Sequence, residues 1–252
     1  MIMKRLQLLL AILSTVLGGH AAETPFLIGD DGMNRVALFN EDKELIWEYP
    51  VIQPYQVQAL DNGNILTTSK CAVYEISRDK QVVWSYSRGD HQIYGAVRKG
   101  DTTIVADCTA GEILFVNERS EITRSFKTIT EHTGHGTMRN LTLTPENTLL
   151  VAHIADRTVR EYDLAGNLIQ EFKVPGAAYR GVRLNNGNTL VGHKSGITEF
   201  IAARRFLTEE NWSIYSGYFG QNLIEAPPSI TIFPRPRDTA EIPSAGVCGA
   251  MG

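Results

Sequence analysis

The chain has 252 residues, of which 43% are hydrophobic and 21% charged, an ordinary globular composition with length enough for a sizeable core. A formal charge of −4 with no basic run argues against a nucleic-acid partner, because phosphate neutralisation needs a concentrated basic surface. Three cysteines, Cys71, Cys108 and Cys248, lie far apart without CxxC spacing, which excludes a disulfide framework and leaves one disulfide at most.

The N-terminus reads MIMKRLQLLLAILSTVLGGHAAE: Lys4 and Arg5, then an apolar run from Leu8 to Leu17, then small residues around Ala21 and Ala22. Residues 1–22 therefore have the form of a secretory signal peptide. The apolar run is about half the ~20 residues a membrane-spanning helix needs, and no cysteine follows closely enough to carry a lipid. The expectation is an exported, periplasmic or extracellular protein without a membrane span. Its mature form would carry 22 basic against 28 acidic residues.

From there the chain repeats itself. YQVQALDNGNILTTS, IYGAVRKGDTTIVAD, MRNLTLTPENTLLVAH and YRGVRLNNGNTLVGH each read as a strand, a polar turn and a second strand. AVYEIS, ILFVNE, VREYDL and ITEF follow as third strands; QVVWSYS, EITRSFK and NLIQEFK follow as fourth strands, entered through RDK, RSE and AGN. The aromatic residue closing the fourth strand recurs as Tyr49, Tyr86, Phe126 and Phe172, at intervals of 37, 40 and 46 residues. Four antiparallel strands per unit at a period near forty predict an all-β fold, a β-propeller of about five to six blades, over residues 23–200. A β-sandwich would scatter its strands without such a repeated unit.

The first unit, FLIGDDGMNRVALFNEDKELIWEYP, holds only strands two to four, so closure of the ring would draw the missing strand from the C-terminus. Residues 201–252 break the pattern. Five of the ten prolines fall there, and WSIYSGY and SITIF are the only strand-like runs, so this segment reads as a divergent or shortened end that supplies ring-closing strands.

Several residues carry a family resemblance: DNGNIL at 61–66, NNGNTL at 185–190, Trp47 and Trp84 on the fourth strands, and the stretch at 138–153. On these the chain resembles the secreted bacterial PQQ-like (quinoprotein-like) propeller repeats, with their LPNGNTLV corners and outer-strand tryptophan. The resemblance covers about 175 residues and implies the fold, not an activity. Arg124 and Gln170 stand where the tryptophan tends to recur. Bound PQQ is not expected, since quinone-dependent dehydrogenases need a much larger ring.

Alignment of the second strands puts Asp30, Ser69, Asp107, His153 and His193 at one position, and alignment of the innermost strands puts Gln56, Arg139 and Arg180 together near their start. His132 and His135 lie just before Arg139. One reading makes these a polar pocket at a mouth of the central channel, with Arg139 and Arg180 as forked donors for a carboxylate, sulfate or phosphate. Another makes them strand ends that bond neighbouring backbone. A metal site finds no support in local spacing, since the ligands would come from separate blades. Ser69 has no GxSxG around it. HTGHGTMRN faintly resembles histidine-bearing segments of propeller arylsulfotransferases, which would give His135 or His153 a catalytic role and make His193 a further candidate.

Trp47 and Trp84 read as packing anchors. Cys71 and Cys108, at similar places in neighbouring units, are the candidate disulfide pair. Asn140-Leu-Thr142 and Asn211-Trp-Ser213 match the glycosylation pattern by chance. The function expected is that of a secreted, noncatalytic propeller binding a small polar molecule, a glycan or a protein at the channel mouth; the alternative is a sulfotransferase-like, hydrolase or lyase enzyme working there.

Overall fold

A computed structural model of the chain describes residues 25–132 and 134–202. They build five antiparallel sheets, the blades of a β-propeller. The first comprises Phe26–Asp30 (β1), Arg35–Phe39 (β2) and Leu45–Pro50 (β3); the second Val57–Ala59 (β4), Ile65–Thr68 (β5), Ala72–Ile76 (β6) and Val82–Ser87 (β7). The third comprises Ile93–Lys99 (β8), Thr102–Asp107 (β9), Glu112–Val116 (β10) and Ile122–Lys127 (β11), and the fourth Asn140–Leu143 (β12), Leu149–His153 (β13), Thr158–Tyr162 (β14) and Leu168–Lys173 (β15). The fifth holds Ala178–Arg183 (β16), Thr189–His193 (β17) and Gly196–Phe200 (β18). As the sequence predicts, the first blade starts at its second strand. Residues 1–22, read above as a signal peptide, the sequence after residue 202 and the ring-closing strands expected from it lie outside the described residues. No helix among the described residues is long and apolar enough to cross a membrane.

The repeated turns have one geometry. In the NGN corners the Leu60 and Leu184 amides donate to the Asn64 and Asn188 carbonyls, and Gly63 and Gly187 take φ of 82° and 86°. That is a three-residue hairpin loop closed by a left-handed residue, for which glycine carries no steric cost. The turns between third and fourth strands repeat it with Lys43, Lys80, Ser120 and Gly166 at positive φ, and each is followed by a register shift in the ladder. The recurrent aromatics face aliphatic partners on the third strand: Tyr49 opposite Val36, Tyr86 opposite Val73, Phe126 opposite Ile113, Phe172 opposite Val159. Arg124 and Gln170 do occupy the register position of Trp47 and Trp84. Arg124 lies 3.6 Å over the Phe115 ring and Gln170 donates to Glu161, so each replaces indole packing with a polar contact of its own.

The core lies between blades. Four buried clusters fill the four successive seams, exemplified by Val36 and Ile65, Leu66 and Ile93, Tyr94 and Leu141, and Leu150 and Val191. Among the described residues no such cluster joins the fifth blade to the first. Polar clamps cross two of the seams. Glu75 accepts from Asn62 and Asn64 of its own corner and from Arg98 of the next blade; Glu161 accepts from Thr148, Gln170 and, across the seam, Arg183. Burial alone would raise both carboxyls, but these donors outweigh it and hold them below the usual range. The corner asparagines are thus more than turn formers, since they orient the carboxylate that the next blade's arginine grips.

At the inner strands the approach is closest. The Gln56 side chain donates from Nε2 to the Leu141 carbonyl at 2.8 Å and accepts at Oε1 from the Leu141 amide at 3.3 Å, tying the second blade to the fourth over the third. Gly95 lies beneath this bridge, where a Cβ would come within 2.9 Å of the Leu141 amide nitrogen and 3.3 Å of Gln56 Oε1.

His153, at the end of β13, is 0% exposed, and neither ring nitrogen has a hydrogen-bond partner among the described residues. Burial lowers its pKa to about 4; Arg160 acts in the same direction, against Asp156 and the Thr137 backbone. The ring is therefore a neutral core group within 6.4 Å of Tyr162.

Two outcomes follow. Gly95→Ala should destabilise the protein by about 1–3 kcal/mol through overpacking of the seam, read from urea unfolding midpoints. Between pH ~6.5 and 4 the unfolded chain holds a proton on His153 that the folded chain refuses, so this group's stabilisation is complete above pH ~6.5 and declines as pH falls, by roughly 3 kcal/mol in all. His153→Leu should flatten most of that slope between pH 5 and 7, and a slope equal to the parent's would contradict the assignment.

Candidate functional site

In the second to fifth blades the first strand begins, and in all five the second strand ends, on the same face of the propeller. Asp30, Asp107, His153 and His193 close β1, β9, β13 and β17, and Ser69 follows β5, so the sequence alignment of the five is the structural one. Each is engaged locally or enclosed. Asp30 Oδ1 accepts from the Met33 amide, and Ser69 Oγ donates to the Ala72 carbonyl. Asp107, wholly buried, accepts from Arg88 at 2.9 Å, from the Ala110 amide, and contacts His91 Nδ1 at 2.8 Å. His193 Nδ1 accepts from the Ser195 amide, which leaves Nε2 to donate to Thr198 Oγ1, and burial lowers its pKa. His153 lies in the core as described.

The inner strands correct the sequence alignment by one residue. Register against the second strands places Gln56, Gly95, Asn140 and Arg180 in one tier, and Tyr55, Tyr94, Arg139 and Tyr179 in the tier before it. The offset lies at Arg139: Asn140, not Arg139, stands opposite Ala152, as Arg180 stands opposite Gly192 and Gln56 opposite Thr68, while bulges in β8 and β16 carry Tyr94 and Tyr179 as their extra residues. Gln56, Arg139 and Arg180 thus do not share a position. Gln56 spends both polar atoms on Leu141, while the tier of three tyrosines and Arg139, which residue-type matching missed, collars the mouth.

The collar is packed from its side chains. Tyr55 and Tyr94 meet edge to face with centroids 4.3 Å apart, and the Arg139 guanidinium lies 4.5 Å above the Tyr55 ring and 5.4 Å from that of Tyr94. Desolvation is the largest influence on both phenols and raises them, against the opposing charge of Arg139, so both stay protonated. The Tyr94 hydroxyl is hydrogen-bonded to His135 Nδ1 at 2.9 Å, and that imidazole sits on the short 3-10 turn Gly134–Gly136. Cys108 lies under the collar as a free, buried thiol, its Sγ 3.4 Å from the Met138 carbonyl and its pKa pushed up to about 12 by burial. The pairing of Cys71 with Cys108 is therefore not made.

No carboxylate among the described residues pairs with Arg139 or Arg180. Arg180 is open to solvent, and desolvation by the protein around it lowers its pKa with no counter-charge beside it. His132 contacts Asp156 at 3.3 Å, away from the collar pair. Among the described residues no three histidine, cysteine or carboxylate side chains gather as a metal site requires. Asn140, in its glycosylation-like triplet, is 6% exposed and out of reach of a glycosylating enzyme; Asn211 lies outside the described residues.

No protein-family model matches the chain, and no curated protein sequence matches it. Of the resemblance to PQQ-like repeats, the propeller fold is what the structure shows. Among solved structures, a protein of unknown function from Bacteroides caccae is 26% identical, with a TM-score of 0.63 over 72% of this chain and 70% of that one. Virginiamycin B lyase from Staphylococcus aureus is 17% identical, with a TM-score of 0.54 over 72% of this chain and 67% of the lyase. A hydrazine synthase of Kuenenia stuttgartiensis is 20% identical, with a TM-score of 0.54 over 70% of this chain and 58% of that one. These likenesses agree with the five blades: the chain has a β-propeller fold that proteins of quite different activity share.

Proposed function

We propose that the protein is a noncatalytic binding propeller, exported by residues 1–22, that holds a small anionic ligand at the mouth ringed by Tyr55, Tyr94, Arg139 and Tyr179. The observation that carries this reading is Arg139, whose guanidinium is stacked on two tyrosines without a carboxylate partner among the described residues. Stacking fixes the plane of the fork at little entropic cost and leaves its N–H edge available for the paired oxygens of a carboxylate, sulfate or phosphate. Arg180, in the next tier and open to solvent, adds a second positive charge without a carboxylate partner among the described residues. The other aligned polar residues hold the mouth in shape: Asp107 through Arg88, Ser69 and Asp30 through their turns, and Gln56 through Leu141.

A second reading, an enzyme at the same mouth, has one observation in its favour. His135 is oriented by the Tyr94 hydroxyl beside Arg139, and an oriented imidazole next to an anion-binding arginine is equipped for proton transfer. The named lyases among the structural neighbours belong to the same fold, and at under 20% identity they lend it nothing more.

Thermal-shift and calorimetric titration against sulfated, carboxylated and phosphorylated small molecules should find one class that stabilises the protein. Arg139→Ala and Arg180→Ala should each weaken that ligand by about 10- to 100-fold, the loss of a charge-assisted contact, while the unliganded melting temperature moves by a few degrees at most. Binding that survives both substitutions would remove the mouth as the site. His135→Gln should leave affinity unchanged and turn over nothing that the parent does not; a bound ligand consumed by the parent and spared by this variant would decide for the enzyme.

A further inference from the structure

The same face carries a concavity away from the mouth. At the seam between the fourth and fifth blades a groove of about 580 Å³ opens between the β13–β14 turn, which contributes Ile154 and Arg157, the connector at Pro175 and Gly176, and the β17–β18 turn, which contributes Lys194 and Ser195. Its floor is held by backbone, with the Lys194 amide donating to the Ala177 carbonyl and the Val174 amide to the Arg157 carbonyl. Gly176 lets the connector lie on the turn, since a Cβ there would come within 3.0 Å of Ser195 Oγ and 3.1 Å of the Lys194 side chain. The two cations that line the groove have no carboxylate partner among the described residues, and no carboxylate lines it.

Arg88 and Arg160, also on this face, are by contrast neutralised by Asp107 and Glu112 and by Asp156 and Glu171. On the fourth and fifth blades the cations without a carboxylate partner among the described residues include two pairs, Arg139 and Arg180 at the mouth and Arg157 and Lys194 in the groove; in the second blade Lys70 stands at the position equivalent to Lys194. Ala177, on the groove wall, precedes Arg180 by three residues of extended chain, about 10 Å at the rise of a strand.

We propose that the groove is a second anion subsite and that the ligand of the mouth is one end of an acidic oligosaccharide, a chain of uronate or sulfated sugars, running from Arg139 and Arg180 to Arg157 and Lys194. The proposal rests on the mouth being a binding site. The division of the cations into two separated pairs, on a chain of net formal charge −4, favours this class over nucleic acid, which needs a concentrated, continuous basic surface. Tyr179, 43% exposed beside Arg180, offers a flat apolar surface for a pyranose ring between them. The Ser195 hydroxyl is a donor suited to sugar oxygens.

The test uses the full exported chain, titrated calorimetrically with galacturonate, its linear oligomers of increasing length, and single-stranded DNA of matched charge. Expected is an affinity at least ~10-fold higher for oligomers than for the monomer, a gain that falls with added salt. Lys194→Glu should abolish the gain and leave monomer affinity unchanged. Arg157→Asn, which suits the left-handed backbone at that residue (φ 55°), should do the same. Equal affinities for monomer and oligomer, insensitive to both substitutions, would overturn the second subsite while the mouth stands. Monomer binding that persists in Arg139→Ala with Arg180→Ala would instead overturn the mouth, and the oligomer path with it. DNA that competes as well as the oligomer, or no binding by any probe, would overturn the ligand class.

Discussion

Everything near the axis depends on one side-chain amide. Gln56 satisfies both the N–H and the C=O of Leu141, and it can do so only because Gly95 has no Cβ to stand between them. A buried amide that meets two backbone groups is specific in distance and direction, and leaving any of the three unpaired would cost more than the bond itself contributes. The residue before Gln56 is Tyr55 and the residue two before Leu141 is Arg139, so the same bridge brings the arginine over the tyrosine ring. The collar is a by-product of how the second and fourth blades are joined.

Away from the axis the work is divided between apolar seams and charged clamps. Buried aliphatic and aromatic side chains supply the nondirectional attraction that holds sheet to sheet. The Glu75–Arg98 and Glu161–Arg183 pairs add direction, since a carboxylate oriented by corner hydrogen bonds accepts a guanidinium from only one arrangement of the next blade. In the fifth blade Asn188 orients Glu199 in the same manner. The third blade has Phe115 at that position and covers it with Arg124, so the repeat tolerates a change of chemistry where the shape of the seam is kept.

The strands, their order, the turns and the incomplete first blade were legible because each is written locally. An Asn-Gly-Asn corner specifies a hairpin, an aromatic every forty residues specifies a fourth strand, and strand alternation exposes its apolar face without knowledge of the partner. The candidate site was legible only in part. Arg139 and Arg180 could be singled out as arginines near the start of inner strands, but Arg139 stands one register position before Gln56 and Arg180, and the register of an inner strand against its neighbour leaves no reliable mark in residue type. Tyr55, Tyr94 and Tyr179 read as ordinary strand aromatics, and His153 looked like a polar rim residue although it is sealed in the core.

The sequence by itself determined the all-β class, the four-strand unit and the face on which Asp30, Ser69, Asp107, His153 and His193 end their strands, because these follow from hydrogen-bonding periodicity and turn stereochemistry within some forty residues. Tertiary structure alone decided which polar groups are spent and which remain. Gln56 meets its partner 85 residues away, Asp107 is neutralised by Arg88 of the preceding connector, and Arg139, Arg157, Arg180 and Lys194 remain without a carboxylate among the described residues. Such pairing depends on which side chains the blades bring within a few ångströms, and neither charge nor spacing along the chain encodes that distance.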